Sequence, residues 1–276
     1  MFAIANNITT RNRRIAEALR LRPAEEASPR AAASIEKQRA ELVRSLAKQC
    51  VAAGADALDI NLQWRYDKPE VMRWAVERAQ EVVSVPLCLS AHRADTVEAG
   101  LRACRRPPIV NHVSLDKEKL EKILPLAARH DATVVLLLTD PAAPGSPEDI
   151  LKTAAILVGA ANESGIPNER IWLDPGALHI TTEMGQRHAR TILELVPSLR
   201  ESFGPAVGIT CWISNVSVGV PRRWRPNVEN AFLAMLAGSG LSSAFVNVLG
   251  RDTVRTVRLI KVLRNEVIYS DREIEP

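Results

Sequence analysis

The chain changes hydrophobic rhythm again and again: short apolar runs that suit buried strands alternate with longer segments whose apolar residues recur at helical spacing. The runs at residues 2–8, 57–62, 86–89, 109–113, 133–138, 171–173, 207–213 and 243–247 read as strands. Between them, residues 35–54, 69–83, 95–104, 117–130, 146–165, 182–199 and 228–237 read as helices, and residues 252–264 read as the last one. Ser146-Pro147-Glu148-Asp149 opens its helix as a cap, an N1 proline and acidic first-turn residues, all favoured at the positive end of the helix dipole. The arginine-rich stretch 10–22 and residues 23–29 read as a charged, turn-punctuated connection. A strand–helix unit repeated eight times without a shift of composition predicts a parallel sheet closed on itself. The 276 residues come close to the roughly 250 that one (β/α)8 TIM barrel uses. The expectation is a single α/β barrel domain over residues 1–276.

Composition narrows the function classes. With 46% hydrophobic and 25% charged residues, the chain has enough apolar surface for a sizeable core and cannot be mainly disordered. A formal net charge of +4 is too small to argue for nucleic acid, and it suits an anionic ligand or an acidic protein partner. Cys50, Cys88, Cys104 and Cys211 show no metal-ligand spacing, so no metal is expected. No stretch reaches the roughly 20 apolar residues of a membrane span, and residues 1–7 lack a basic region followed by a long apolar run. A reducing cytoplasm is the expected setting. A glycine-rich dinucleotide fingerprint is absent.

Barrel enzymes place their chemistry where the strands end. The polar residues at those ends are Asn6, Asn7, Asp59, Asn61, Ser90, His92, Asn111, His112, Thr139, Asp140, Asp174, Ser214, Asn215 and Asn247. Such a set, rich in amides and poor in acids, suits a planar hydrogen-bonding ligand better than hydrolysis, which needs a nucleophile with its base or a metal cluster. Asn215 follows the expected seventh strand directly and draws the most attention. The alternative reading is an amide that caps the next helix or ties down the loop.

Five stretches occur in an order that adds to this reading: Gly54-Ala55-Asp56-Ala57-Leu58-Asp59-Ile60-Asn61, Val110-Asn111, Leu173-Asp174-Pro175, Ser214-Asn215-Val216-Ser217-Val218-Gly219-Val220-Pro221, and Ala231-Phe232-Leu233-Ala234-Met235. With these motifs the chain resembles the methyltetrahydrofolate:corrinoid methyltransferases, pterin-binding barrels related to dihydropteroate synthases. The resemblance implies a homodimeric barrel that binds methyltetrahydrofolate at its C-terminal face. It also implies transfer of the N5 methyl between that folate and the cobalt of a separate corrinoid protein. It further implies Asn215 as the catalytic amide beside N5 and Asp174 as acceptor for the ring N–H and exocyclic amine. Asn111 can donate and accept at the neighbouring carbonyl and nitrogen edge, and Ser90, Ser214, Asn247 and Asn61 fall around the ligand. Arg223 then meets the folate tail or the corrinoid partner. No nucleic acid or membrane partner is implied.

Two departures from that pattern stand out. Where the family ends strand three in a pterin-holding aspartate, this chain has Leu87-Cys88-Leu89-Ser90, and in strand one the family's glycine, glutamate and arginine are replaced by Ala5, Asn6 and Asn7. If Ser90 faces the pterin, Ser90→Asp should tighten binding, unless His92 or a neighbouring strand already compensates. Asp59 and Asn61 point inward together, either to order the mouth or to touch ligand. His92, His112, His179 and His188 read as ordinary loop or helix histidines. Two other functions remain: a folate-binding subunit without turnover, and a dihydropteroate synthase, for which the expected lysine after strand seven is missing.

Overall fold

The computed structural model describes residues 1–20, 29–140 and 142–275, so residues 21–28 of the expected connection lie outside the described residues. Eight strands form one parallel sheet: β1 (Phe2–Thr9), β2 (Ala57–Asn61), β3 (Leu87–Ser90), β4 (Ile109–Val113), β5 (Thr133–Leu137), β6 (Ile171–Asp174), β7 (Gly208–Ile209) and β8 (Ser243–Val246). Neighbours follow sequence order from β7 back to β1, which pairs with β8. The two ends then meet. The Ser242 N–H donates to the Ile209 carbonyl and the Phe245 N–H to the Cys211 carbonyl, each at 2.9 Å, so the sheet closes on itself as the expected (β/α)8 barrel.

Around it lie α1 (Arg13–Leu19), α2 (Pro29–Ala52), α3 (Pro69–Gln80), α4 (Ala94–Ala103), α5 (Leu124–Arg129), α6 (Pro147–Glu163), α7 (Glu183–Phe203), α8 (Arg225–Ser239), α9 (Arg251–Leu263) and α10 (Asp271–Ile274). α6 starts as its sequence predicts: the Asp149 N–H donates to the Ser146 hydroxyl at 3.2 Å, and the Ser146 N–H returns the bond to the Asp149 carboxylate at 3.0 Å.

Four elements differ from the sequence reading, one of them α10, a further short helix beyond the one read as the last. The stretch read as a connection contains α1, capped by the Asn12 side chain and buried through Ile15, Ala16, Ala18 and Leu19; its arginines hide a short apolar face. The single helix expected over residues 117–130 is a wide π-type turn, Lys119–Ile123, followed by α5. Pro125 sits at the junction, where it has no N–H for a regular helical ladder. The seventh strand, expected over residues 207–213, keeps a regular ladder only at Gly208–Ile209 and ends in a 3-10 turn, Ile213–Ser217.

Alternation along the strands separates two cores. One parity faces the helices and forms the large outer cluster, with Leu58, Ile60, Leu89, Val110, Val134 and Leu173 among its members. The other parity faces the barrel axis, where Ile4, Ala57, Cys88, Ile109, Val135 and Phe245 fill the interior, joined by Phe2, Trp172 and Trp212. The Trp212 ring lies flat on Phe245, centroids 4.7 Å apart, an offset contact that adds to the area it buries. This apolar plug is the floor of the barrel. Two residues nearer the C-terminal mouth, the same parity carries Asp59, Ser90, Asn111, Asp174 and Asn247, with Asn61 one further step along β2, so one step of two residues turns the interior from apolar to polar.

Candidate functional site

Above the plug, a cavity of about 500 Å³ opens at the C-terminal mouth. That is a size and position at which barrel proteins hold small ligands. Its walls bring together Asn61 from β2, Asn111 from β4, Asp174 from β6, Ser214 and Asn215 from the turn after β7, and Asn247 after β8. These are six of the eight site residues expected from the sequence. An open groove of about 960 Å³ elsewhere is lined by His92, Arg93, Asp116 and Lys119 among others, but no strand-end amide or carboxylate of the expected set converges there.

Asp174 is the chemical centre of the cavity. It is 5% exposed, and burial pushes its carboxyl up to about 7, opposed by the Gly176 N–H that donates to Oδ1 at 2.8 Å. A buried carboxylate with so few donors is costly on its own, and it suits a ligand edge that brings N–H groups. The turn that presents it is built on Gly176, whose φ is +72° and where a Cβ would lie 2.1 Å from Thr139 Oγ1. The Thr139 hydroxyl donates to the Pro175 carbonyl at 2.9 Å.

Asn215 sits in the 3-10 turn rather than at a strand end. Its backbone N–H donates to the Trp212 carbonyl at 3.3 Å, while its side-chain amide has no hydrogen-bond partner among the described residues. The same turn is fixed by the Trp212 indole N–H, which donates to the Ser214 hydroxyl at 2.9 Å, and by Ser217, whose hydroxyl donates to the Glu229 carboxylate of α8. On the opposite side, Asn7 Nδ2 donates to Asn247 Oδ1 at 2.6 Å, tying the end of β1 to the end of β8. Asn61 Oδ1 accepts the Gln63 N–H at 3.2 Å. The imidazole of His112, also in the wall, is pushed down to about 3 by desolvation and then by the charges of Lys119 and His92, so it stands neutral.

Two expected positions fall elsewhere. Ser90 does not face the cavity: it is fully enclosed, and its hydroxyl donates to Asp59 Oδ1 at 2.6 Å while accepting Asn111 Nδ2 at 2.8 Å. The β2 carboxylate of Asp59 therefore occupies the side of the barrel where strand three carries only a hydroxyl. Arg223 is exposed in the turn Arg222–Trp224, with its guanidinium 5.8 Å from the Trp224 ring centre, because the turn directs Arg222 and, one residue into α8, Arg225 to the cavity instead.

Arg11, Trp64, Arg222 and Arg225 form the rim; sequence reasoning missed Arg11 and Trp64, and chose Arg223 from the loop that carries Arg222 and Arg225. Arg11 lies 5.2 Å from the centre of the Trp64 ring, and Trp64 is 59% exposed. The exposed tryptophan just after β2 was the available signal. Among the described residues no group of His, Cys, Asp and Glu is placed to hold a metal ion, and no helix is long and apolar enough to cross a membrane.

The chain is similar over much of its length to proteins of known kind. It is 26% identical over 229 residues to the methylcorrinoid:tetrahydrofolate methyltransferase of Eubacterium limosum, covering 81% of this chain and 82% of that one. Methionine synthase of Mycobacterium leprae is 26% identical over 215 residues, which are 73% of this chain and 18% of that longer protein. Among solved structures, a dihydropteroate synthase from Clostridium difficile in the presence of pteroic acid superposes with a TM-score of 0.69 at 15% identity, covering 95% and 96% of the two chains. The Yersinia pestis dihydropteroate synthase with a pterine-sulfa conjugate gives 0.68 at 18% identity, covering 82% and 90%. These structural likenesses establish the fold. The signature of the pterin binding enzymes matches residues 30–247, and by that match over most of its length the chain belongs to the pterin-binding enzyme family.

Proposed function

We propose that this protein is a methyltransferase that moves the N5 methyl group between methyltetrahydrofolate and the cobalt of a separate corrinoid protein. The observation that carries the reading is the convergence of the Asp174 carboxylate, the Asn111 amide and the unbonded Asn215 amide on one cavity. The methylcorrinoid:tetrahydrofolate methyltransferase similar to this chain over 81% of its length supports the choice of reaction.

In this reading the pterin's ring N–H and exocyclic amine sit side by side on Asp174, which gains the donors that burial has withheld from it. Asn215 offers an amide N–H toward N5. As the methyl carbon passes to the cobalt nucleophile, the electron pair of the C–N bond stays on N5, and a fixed donor beside that nitrogen stabilises it. An amide is no acid at neutral pH, so its part is electrostatic and greatest in the transition state. Ser214, Asn61 and Asn247 shape the wall. The Arg11, Arg222 and Arg225 rim suits the anionic tail of a folate, and the exposed Arg223 suits contact with the corrinoid partner. The working form in this proposal is a cytoplasmic homodimer that needs no metal, nucleic acid or membrane of its own.

The test is direct. Purified protein is mixed with methyltetrahydrofolate and cob(I)alamin, free or protein-bound, and methylcobalamin absorbance is followed. Transfer supports the reading. Folate binding with no transfer to any corrinoid acceptor would leave a binding subunit without turnover. Dihydropteroate synthesis is the weaker enzyme reading, because the turn Ile213–Ser217 after β7 supplies no lysine.

A further inference from the structure

Three adjacent strands carry a buried chain of polar side chains that reaches from behind the cavity into its wall. Asp59 on β2 and Ser90 on β3 are fully enclosed, and Asn111 on β4 is 3% exposed. Ser90 Oγ lies 2.6 Å from Asp59 Oδ1 and 2.8 Å from Asn111 Nδ2. Only Asn111 lines the cavity.

A hydroxyl has one proton to give. An ionised carboxylate can only accept, so the Ser90 proton goes to Asp59, and the lone pairs left on Ser90 Oγ require a donor. Of the two ends of the Asn111 amide, only the nitrogen can meet them. The oxygen is then the end left for a ligand. We infer that Asp59, acting through Ser90, fixes the direction of the Asn111 amide and makes that wall of the cavity a hydrogen-bond acceptor, so that the site selects a reduced pterin over an oxidised one. Asp59 and Ser90 are positioning residues. The ligand class rests on the pterin reading of the cavity.

The selection follows from the ring. With N3–H and the 2-amine on Asp174, the two neighbouring edges are O4 with N5, and N1 with N8. The first offers acceptors in every oxidation state that lacks an N5 proton. The second carries a donor, N8–H, only when the N8–C7 bond is reduced; in a fully oxidised pterin N8 is a bare lone pair. Asn215, after β7, stands on the N5 side in this reading, and Asn111, on β4 across β6 from it, therefore falls on the N1/N8 side, where an acceptor fits N8–H and opposes the bare nitrogen. The ionised Asp59 carboxylate offers no competing donor, and the neighbouring Cys88 thiol, pushed well above its usual range by burial, keeps its proton and directs it to Asp59.

Calorimetry with 7,8-dihydrofolate and folic acid, which share a tail and differ at the 7,8 bond, tests this well above pH 7, where Asp59 is ionised. The parent protein is expected to prefer dihydrofolate by about tenfold or more, the size of one matched against one opposed hydrogen bond. Ser90→Ala frees the Asn111 amide to turn, and Asp59→Asn, the same shape, can offer either an oxygen or an N–H to Ser90. Both should bring the ratio of the two affinities toward one, and the double variant should lower it no further. A role in packing alone would weaken both ligands equally and leave the ratio unchanged, which would overturn the inference, as would equal binding of the two ligands by the parent. Binding of neither folate by the parent would overturn the pterin reading itself and the selection with it.

Discussion

The Gly176 N–H donates to Asp174 Oδ1 across 2.8 Å, and it is the only donor that this buried carboxylate receives from the described residues. The bond holds the carboxylate at the mouth of the barrel, two residues beyond the apolar plug. Both partners depend on a backbone shape that only glycine takes without strain.

Gly176→Ala should therefore damage the site more than its size suggests. A left-handed φ costs a side-chain-bearing residue about 1–2 kcal/mol, and the added methyl meets Thr139 Oγ1 at 2.1 Å. The expected outcome is a melting temperature lower by several degrees, at about 2–4 °C per kcal/mol for a chain of this order of size, with methyltetrahydrofolate affinity reduced at least tenfold. Unchanged affinity in calorimetry would show that the carboxylate keeps its place without this turn.

Asp174→Asn should separate stability from binding, in a pH-dependent way. The folded carboxyl sits at about 7 against an ordinary 3.8, so between these values the folded state holds a proton that the unfolded state has released. The stability associated with the neutral form is fully present below about 4 and is lost as pH rises through about 7. Asparagine stays neutral throughout. The variant should match the parent near pH 4 and exceed its stability above pH 7, by at most about 4 kcal/mol for a shift of this size. Asp59 shifts in the same direction, so the comparison is made between parent and variant at each pH. Ligand binding should be weaker in the variant. Denaturant melts across this range that show no pH-dependent difference would refute the assignment.

Asn215→Ala should bind methyltetrahydrofolate within a few-fold of the parent yet transfer its methyl about a hundredfold more slowly, the loss of about 3 kcal/mol seen when one fixed donor is removed from a transition state. Single-turnover absorbance with cob(I)alamin measures the step. A variant that loses binding and keeps its rate constant would assign Asn215 to ground-state recognition.

Ser90→Asp, which the family pattern suggests should tighten binding, is now expected to weaken the protein. The new carboxylate would lie against Asp59 inside a dry wall where the present hydroxyl is 2.6 Å away, and two adjacent carboxyls cannot both ionise there. The cost is of the order of several kcal/mol, read as a large drop in melting temperature that eases at low pH. Tighter folate binding with full stability would return position 90 to the cavity.

Much of this molecule is legible along the chain. The two-residue and helical periodicities of the apolar runs determine eight strand–helix units, and the parity within Ala57–Asp59, Ile109–Asn111, Trp172–Asp174 and Phe245–Asn247 already sends the polar residue of each pair, and Asn61 after Asp59, to the same side of the sheet as the apolar neighbour. That is why Asn61, Asn111, Asp174 and Asn247 could be named as mouth residues from spacing alone. Asn215 was found for a different reason, a polar residue at the end of an apolar run, and its 3-10 setting was not visible because a short closing strand and a turn share the same apolar signal.

What the chain alone determined is which side chains share a face; what only the closed barrel decided is how deep each one lies and what it touches. Depth depends on strand stagger, a property of the whole closed sheet. Stagger enclosed Ser90 between Asp59 and Asn111 while it left Asn111 and Asp174 in the cavity wall. The turn Arg222–Trp224 between β7 and α8 likewise set Arg222 and Arg225 at the mouth and left Arg223 in solvent. Contacts of this kind join residues dozens of positions apart, and no local pattern of spacing encodes them.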